Sequence, residues 1–170
     1  MKHTYNTYIV RPEDGALVPV KHWQRDCNPQ RAEFVAIVEK GSDTALLFAK
    51  DPISVDGRIN FEWDKAVELV KAFKPETKYP DSVTKFRLPD RRECLDIYDA
   101  RFQGLDDALE LIGGTPVHTC GARWIWTGDE DQDPEYNSKL AFCFCGSYGN
   151  VSNQRKCSPY AVRPVATITI

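Results

Sequence analysis

Three groups of side chains in this chain of 170 residues have the types and spacing to do chemistry. The first is cysteine, at Cys27, Cys94, Cys120, Cys143, Cys145 and Cys157. A thiolate is a nucleophile, a metal ligand and half of a disulfide. Structural zinc sites draw on paired thiolates and imidazoles at short recurring spacings. Here no Cys-x-x-Cys occurs, and His3, His22 and His118 stand at no ligand spacing to the thiols. A disulfide framework needs an oxidising compartment, whereas the first thirty residues lack the basic start and apolar run of a secretory leader. The chain as it stands is therefore expected in the cytoplasm, with free thiols that pack as small hydrophobes. Cys143 and Cys145 are two apart on an apolar stretch, so they share one face of a strand and cannot easily close a disulfide on each other.

The second group is the acidic run GDEDQDPEY, with Asp129, Asp131, Asp133 and Glu135. Calcium takes hard carboxylate oxygens, so a weak calcium site is one reading, although the central glycine and distal bidentate glutamate of a helix–loop–helix calcium loop are missing. A solvated acidic loop is the other reading. No further cofactor is expected. The third group is YGNVSNQRKCSPY, residues 148–160. Tyr148 and Tyr160 offer rigid aromatic contact, and Asn150, Ser152, Asn153, Gln154 and Arg155 offer adaptable hydrogen bonds, the mixture that binding loops use. The competing reading is a polar hairpin that only joins two strands. Catalytic signatures are lacking: there is no GxSxG, no HExxH and no glycine-rich phosphate loop.

These groups need a scaffold, and composition says which kind. With 42% hydrophobic and 28% charged residues, the chain reads as a single globular domain of mixed α+β class. A net charge of −3 opposes general nucleic-acid binding, and the pairs Arg91-Arg92 and Arg155-Lys156 are too few to reverse it. No stretch approaches the ~20 apolar residues of a membrane span. Apolar runs at 34–38 and 45–48 flank a Lys-Gly-Ser-Asp turn and predict a hairpin. Trp63, Ala66, Val67, Val70 and Phe73 share one helical face, which Pro75 ends. The stretch 74–84 reads as a loop. Asp90 with Glu93 forms a capping-box pattern ahead of a helix over 91–98, and Leu105, Ala108, Leu109 and Ile112 mark a third helix, stopped by Gly113-Gly114. Strands are predicted at 124–127, 140–145, 160–165 and 166–170. The 140–145 strand, apolar on alternate and intervening residues alike, should be covered on both faces. Trp124 and Trp126 face one side and read as core more readily than as a sugar platform. Arg87 and Arg163, each between apolar neighbours, read as buried structural arginines that need partners.

FRLPDRREC at 86–94, the helix ending in IGG, RWIWTGDE at 123–130 and AFCFCGSYGNVSNQRKCSPYAVRPV at 141–165 stand in order over about eighty residues. Together they resemble the bacterial C-type-lectin-like domain found at the C-terminus of collagen-like adhesins. The resemblance implies a C-type-lectin-like fold with mixed or antiparallel sheets and about three helices. It also implies first and last strands that meet as neighbours. Residues 86–165 form the matching region, and residues 1–60 supply either opening strands or an elaboration. The implied function is non-catalytic binding of a protein or glycan through residues 148–160, with no nucleic acid and no membrane insertion. Two alternatives share the fold. A formylglycine-generating-type cysteine oxidase resembles the chain only at residues 143–148, without the Arg-Gly-Gly that precedes the serine in that family. A diversified display protein of a retroelement or phage would carry its variable residues just before the closing strand.

Overall fold

The computed structural model describes residues 3–23, 31–77, 83–133, 135 and 139–170. Cys27, residues 78–82 of the 74–84 loop, and Pro134 and Tyr136 of the acidic run lie outside them. The chain runs β1 (Tyr5–Val10), β2 (Leu17–Pro19), β3 (Phe34–Glu39), β4 (Thr44–Ala49), β5 (Asn60–Phe61), α1 (Trp63–Ala72), α2 (Arg91–Ala100), β6 (Trp124–Glu130), β7 (Leu140–Cys145), β8 (Val151–Arg155), β9 (Tyr160–Ala161) and β10 (Val165–Thr169). Two five-stranded sheets result, ordered β10-β4-β3-β1-β2 and β5-β9-β6-β7-β8. The first is antiparallel throughout, and the second is antiparallel except where β6 meets β9.

The alternation of β3 and β4 explains the layering. Val35, Ile37 and Phe48 point to a central core shared with Ile125 and Phe144 of the second sheet and with Cys94, Ile97 and Ala100 of α2. Phe34, Ala36, Val38 and Leu47 point the other way, under Phe73 and Phe86. On the far side of the second sheet, Trp126, Ala141 and Cys143 pack against Trp63, Ala66 and Val70 of α1. Both sheets share the central layer, so the chain forms one domain. Among the described residues no helix is long and apolar enough to cross a membrane.

The predicted hairpin, the helix of residues 63–73 and the capping box all form. The Asp90 carboxylate accepts from Glu93 N–H at 2.7 Å, and Glu93 accepts from Asp90 N–H at 2.9 Å. The count of about three helices is corrected to two helical bodies among the described residues. The Asp106–Leu111 segment continues from α2 through a wide turn at Arg101–Leu105. Gln103 and Gly104 are non-helical in that turn, Gly104 at φ +107°, a conformation open to glycine, so the chain kinks there before the Asp106–Leu111 segment. The strand predicted over 160–165 is also shorter. It ends at Ala161, and the closing strand starts at Val165, because Pro164 has no N–H for a ladder and the chain crosses between sheets there. The first and last strands do not meet: β10 pairs with β4, and β1 lies two places further in. The β3–β4 hairpin supplies the neighbour of the closing strand, while β1 and β2 extend the sheet beyond it.

Arg163 holds that crossing. It is fully buried, its Nε donates to Ala49 C=O at 2.8 Å, and its Nη2 donates to Lys50 C=O at 2.5 Å and Thr115 C=O at 2.6 Å. Its guanidinium lies 4.3 Å from the centre of the Phe48 ring. Burial works against its charge, and Asp51 and Asp106 work for it. Arg87 departs from expectation: its side chain is 42% exposed and grips Glu93 through two bonds of 2.6 Å each.

Two outcomes test this packing. Arg163→Met takes the side-chain donor from three carbonyls, of which Lys50 C=O keeps the Thr115 N–H, and should lower the unfolding free energy by about 3 kcal/mol, read by urea denaturation. Asp96, on α2, accepts from the Tyr5 hydroxyl at 2.7 Å, and burial holds its carboxyl above the usual range. The folded state therefore holds that proton more tightly than the unfolded chain, and ionisation costs stability once pH rises through the raised value. Asp96→Asn keeps an acceptor for Tyr5. It should unfold at the same or higher urea concentration than wild type at pH 7, with any advantage gone near pH 3.

Candidate functional site

The predicted binding stretch is a strand rather than a loop. Residues 151–155 form β8, paired along β7 from Leu140↔Arg155 to Phe144↔Val151. Strand alternation then divides the candidates. Val151, Asn153 and Arg155 stand on the face of Phe142 and Phe144, whereas Ser152 and Gln154 stand on the face of Ala141 and Cys143. Tyr148 and Asn150 lie in the exposed turn between the strands. Tyr160 is elsewhere: it belongs to β9, separated from β8 by β6 and β7, and its ring packs 4.8 Å from that of Trp126. Burial raises its phenol above the ordinary value. The seven candidates therefore do not form one site, because alternation and sheet order send them to four places: the turn, the two faces of β8, and β9.

What the structure brings together is the hairpin tip and the outer face of α2. The tip is clamped by Arg101, whose Nη1 donates to the carbonyls of Gly146 and Ser147 and whose Nε donates to Asp106 at 2.8 Å. Asp106 also accepts from Val117 N–H at 2.8 Å and lies 2.8 Å from the His118 ring nitrogen, so one carboxylate ties the helical run to the loop beneath the tip. Gly149, at φ +73°, lies against Tyr98 so closely that a Cβ there would come 2.8 Å from the ring. No other residue type fits that approach.

Above this clamp, apolar groups face outwards. Along α2 and its continuation, Leu95 and Phe102 lie off the stripe of the buried Cys94, Ile97 and Ala100, while Tyr98 between them is half-buried and packs against the core beside Phe144. Leu95 is 50% exposed, Phe102 69% and Tyr148 68%. Tyr98 and Phe102 meet edge to face at 5.3 Å, and the Arg101 guanidinium lies 5.1 Å from the Phe102 ring centre. Towards the N-terminal end of α2, Arg91, Arg92, Leu95, Asp129, Phe142 and Val151 line an open groove of about 590 Å³. Arg91 covers the Phe142 ring at 4.3 Å and pairs with Asp129 at 3.4 Å. Leu95, Phe102 and Phe142 were missed as surface residues by the reading of motifs. The signal was present, as apolar spacing on two sides of one helix where the core needs only one.

The acidic run is dispersed as well. Asp129 belongs to β6, which bulges between Trp126 and Glu130, and its carboxylate is taken by Arg91. Asp131 accepts from Asn153 Nδ2 at 2.7 Å and from Asp133 N–H at 3.0 Å, and Asp133 accepts from Glu135 N–H at 2.9 Å. These are successive side-chain-to-backbone turns, and their oxygens do not converge on one point. Among the described residues no three His, Cys, Asp or Glu side chains stand together as metal ligands.

The thiols differ in burial. Cys94, Cys143 and Cys145 are buried, and Cys120 and Cys157 are exposed. Burial pushes the Cys143 thiol up to about 12 and the Cys94 thiol well above its ordinary value. Trp126 is fully buried, with its indole N–H donating to Phe61 C=O at 2.7 Å, so the tryptophan strand is core. Searches of protein-family models and of curated proteins found no match to this chain.

Reactivity follows burial. N-ethylmaleimide at pH 8 should label Cys120 and Cys157 within minutes, whereas Cys94, Cys143 and Cys145 should wait for denaturant, as peptide mass spectrometry can show. Fast labelling of Cys143 in the folded chain would contradict the packing described for β7.

Proposed function

We propose that this chain is a non-catalytic protein-binding module of C-type-lectin-like fold, engaging its ligand through the face shared by α2 and the β7–β8 hairpin. The observation that carries the reading is the pair of large aromatics, Phe102 and Tyr148, left exposed on elements that Arg101, Asp106 and Gly149 lock together. Rigid aromatic and arginine groups contribute most of the energy in protein interfaces because they bury much area for little lost freedom. Exposed apolar groups gathered on one side of a domain mark an interaction surface. The neighbouring groove, with Arg91 and Arg92 over Phe142 and Val151, extends the same face.

Support for the fold is the order of its parts. Residues 87–89 lead into α2, the tryptophan strand is β6 in the interior of the second sheet, and Arg163-Pro164 leads into the closing strand β10. The separation of β1 from β10 departs from the family pattern, and in this reading β1 and β2 are added strands at the edge of the first sheet. Protein is favoured over glycan as ligand because the exposed rings are presented singly along a helix and at a turn, while the tryptophan pair is packed inside or half-buried. The cysteine-oxidase alternative would need reactive thiols gathered at one place, whereas Cys143 and Cys145 are buried, with the Cys143 thiol pushed up, and the exposed Cys157 lies apart beyond β8.

A peptide library displayed on phage, selected against the wild-type chain, tests this reading. Selected peptides should shift the amide resonances of Leu95, Phe102, Tyr148 and Val151 and bind Phe102→Ala or Tyr148→Ala at least about tenfold more weakly, the range of an interface anchor. Peptides that bind both variants as tightly as wild type, or glycan-array binding that the same substitutions abolish while no peptide is selected, would overturn it.

A further inference from the structure

Four strands end the two sheets, and three of them are blunted. β2 has three residues and ends in Pro19, and β5 has two residues. β10 is flanked by residues 84–87: Thr84 N–H donates to Thr167 C=O at 2.9 Å, and Arg87 and Val165 exchange backbone bonds of 3.0 and 2.9 Å. Covering or shortening edges in this way prevents the addition of a foreign strand. β8 differs. It has five residues, and among the described residues no strand pairs with its outer side.

The phase of its ladder is fixed at both ends. Cys145 N–H donates to Asn150 C=O at 2.8 Å, and Lys156 N–H donates to Lys139 C=O at 2.9 Å. Along the intervening register the hydrogen-bonded pairs are therefore Cys143 with Ser152 and Ala141 with Gln154. The backbone groups of Val151, Asn153 and Arg155 consequently point away from β7. We propose that this edge pairs antiparallel with β8 of a second copy of the chain, about a two-fold axis through Asn153, to join two second sheets into one.

Self-complementarity supports a second copy over an unrelated strand. About that axis Asn153 faces its own counterpart, and the two exchange both backbone bonds. Each Arg155 N–H donates to the partner's Val151 carbonyl. On one face Val151 then lies along the aliphatic stem of the partner's Arg155, so the two exposed arginines are never opposed. On the other face Ser152 meets the partner's Gln154, a hydroxyl beside an amide. The Asp131 carboxylate, already bonded to Asn153 at 2.7 Å, stands beside the axis, where it complements the partner's Arg155 on the diagonal. Such an interface is isologous and closes on itself. It is also small, so the dimer is weak and depends on concentration. The pairing uses main-chain groups of the edge rather than the Phe102 and Tyr148 rings, and it shares only Val151 with the groove beside them, so Asn153→Pro tests it apart from the Phe102 and Tyr148 substitutions.

Sedimentation equilibrium of the full chain from about 5 µM to about 500 µM, a span that brackets weak affinities, should give a mass that rises towards the dimer. Asn153→Pro removes an outward N–H that the β7 ladder does not use, so the fold should persist while dimerisation is lost. Asn153→Ala keeps that N–H and should retain dimerisation within about threefold of wild type. In wild type, hydrogen exchange at the Val151 and Asn153 amides should slow with concentration while that of Ser152 stays constant. A monomer at every concentration, or Asn153→Pro dimerising as well as Asn153→Ala, would overturn the proposal. If Asn153→Pro does not fold, the wild-type exchange decides alone, and concentration-independent rates at Val151 and Asn153 would overturn it.

Discussion

One guanidinium away from water joins the two sheets. The closing segment leaves the second sheet at Ala161 and enters the first at Val165, and the only charged side chain in that crossing is Arg163. A buried cation is tolerated where carbonyl oxygens replace its hydration, and here Ala49, Lys50 and Thr115 do so for Nε and Nη2, while Nη1 is buried without a hydrogen-bond partner among the described residues and lies with the guanidinium against the Phe48 ring. Those three oxygens belong to the end of β4 and to the loop that follows the second helical run. The same side chain therefore fixes the closing strand, the β3–β4 hairpin and the entry to the long connection before β6. Neither sheet could slide against the other without stranding this charge.

The candidate surface depends on a related device one layer out. Arg101 caps the carbonyls of the β7–β8 turn while Asp106 holds Arg101, the Val117 amide and the His118 ring. A partly buried carboxylate with several donors is better stabilised than an exposed pair, whose contribution is small. It gives the turn a fixed position against α2. Gly149 completes the contact by letting backbone touch the Tyr98 ring. With both elements held, Phe102 and Tyr148 remain exposed without becoming loose, and the cost of ordering them has been met by the fold before any ligand arrives.

The contrast between the sheet edges points the same way. Two short edges and one covered edge show how this fold limits strand addition, and the edge at β8, unpaired among the described residues, borders the aromatic surface. Main chain on one side of the hairpin and side chains at its tip offer two kinds of contact, ladder bonds and ring burial. They can operate separately, because one uses backbone groups in the plane of the sheet and the other uses side chains above α2.

The sequence alone determined the local elements. The 34–49 hairpin, the amphipathic helix from Trp63, the Asp90–Glu93 box and the two-faced β7 strand each rest on interactions within a few residues or on a period set by backbone geometry. Apolar neighbours pointed Trp126, Arg163 and Arg87 inwards alike, and only the first two went, because Arg87 found its partner in Glu93 near the surface. Tertiary structure decided the rest. Whether Tyr160 joined Tyr148 depended on sheet order, and whether Asp129 joined Asp131 depended on a bulge and on Arg91 from a distant helix. The exposure of Leu95 and Phe102 was decided by which helical stripe met the core, and the helix carried apolar groups on both. A functional surface is a relation among faces, and strand or helix periodicity names the faces without saying which of them will be covered.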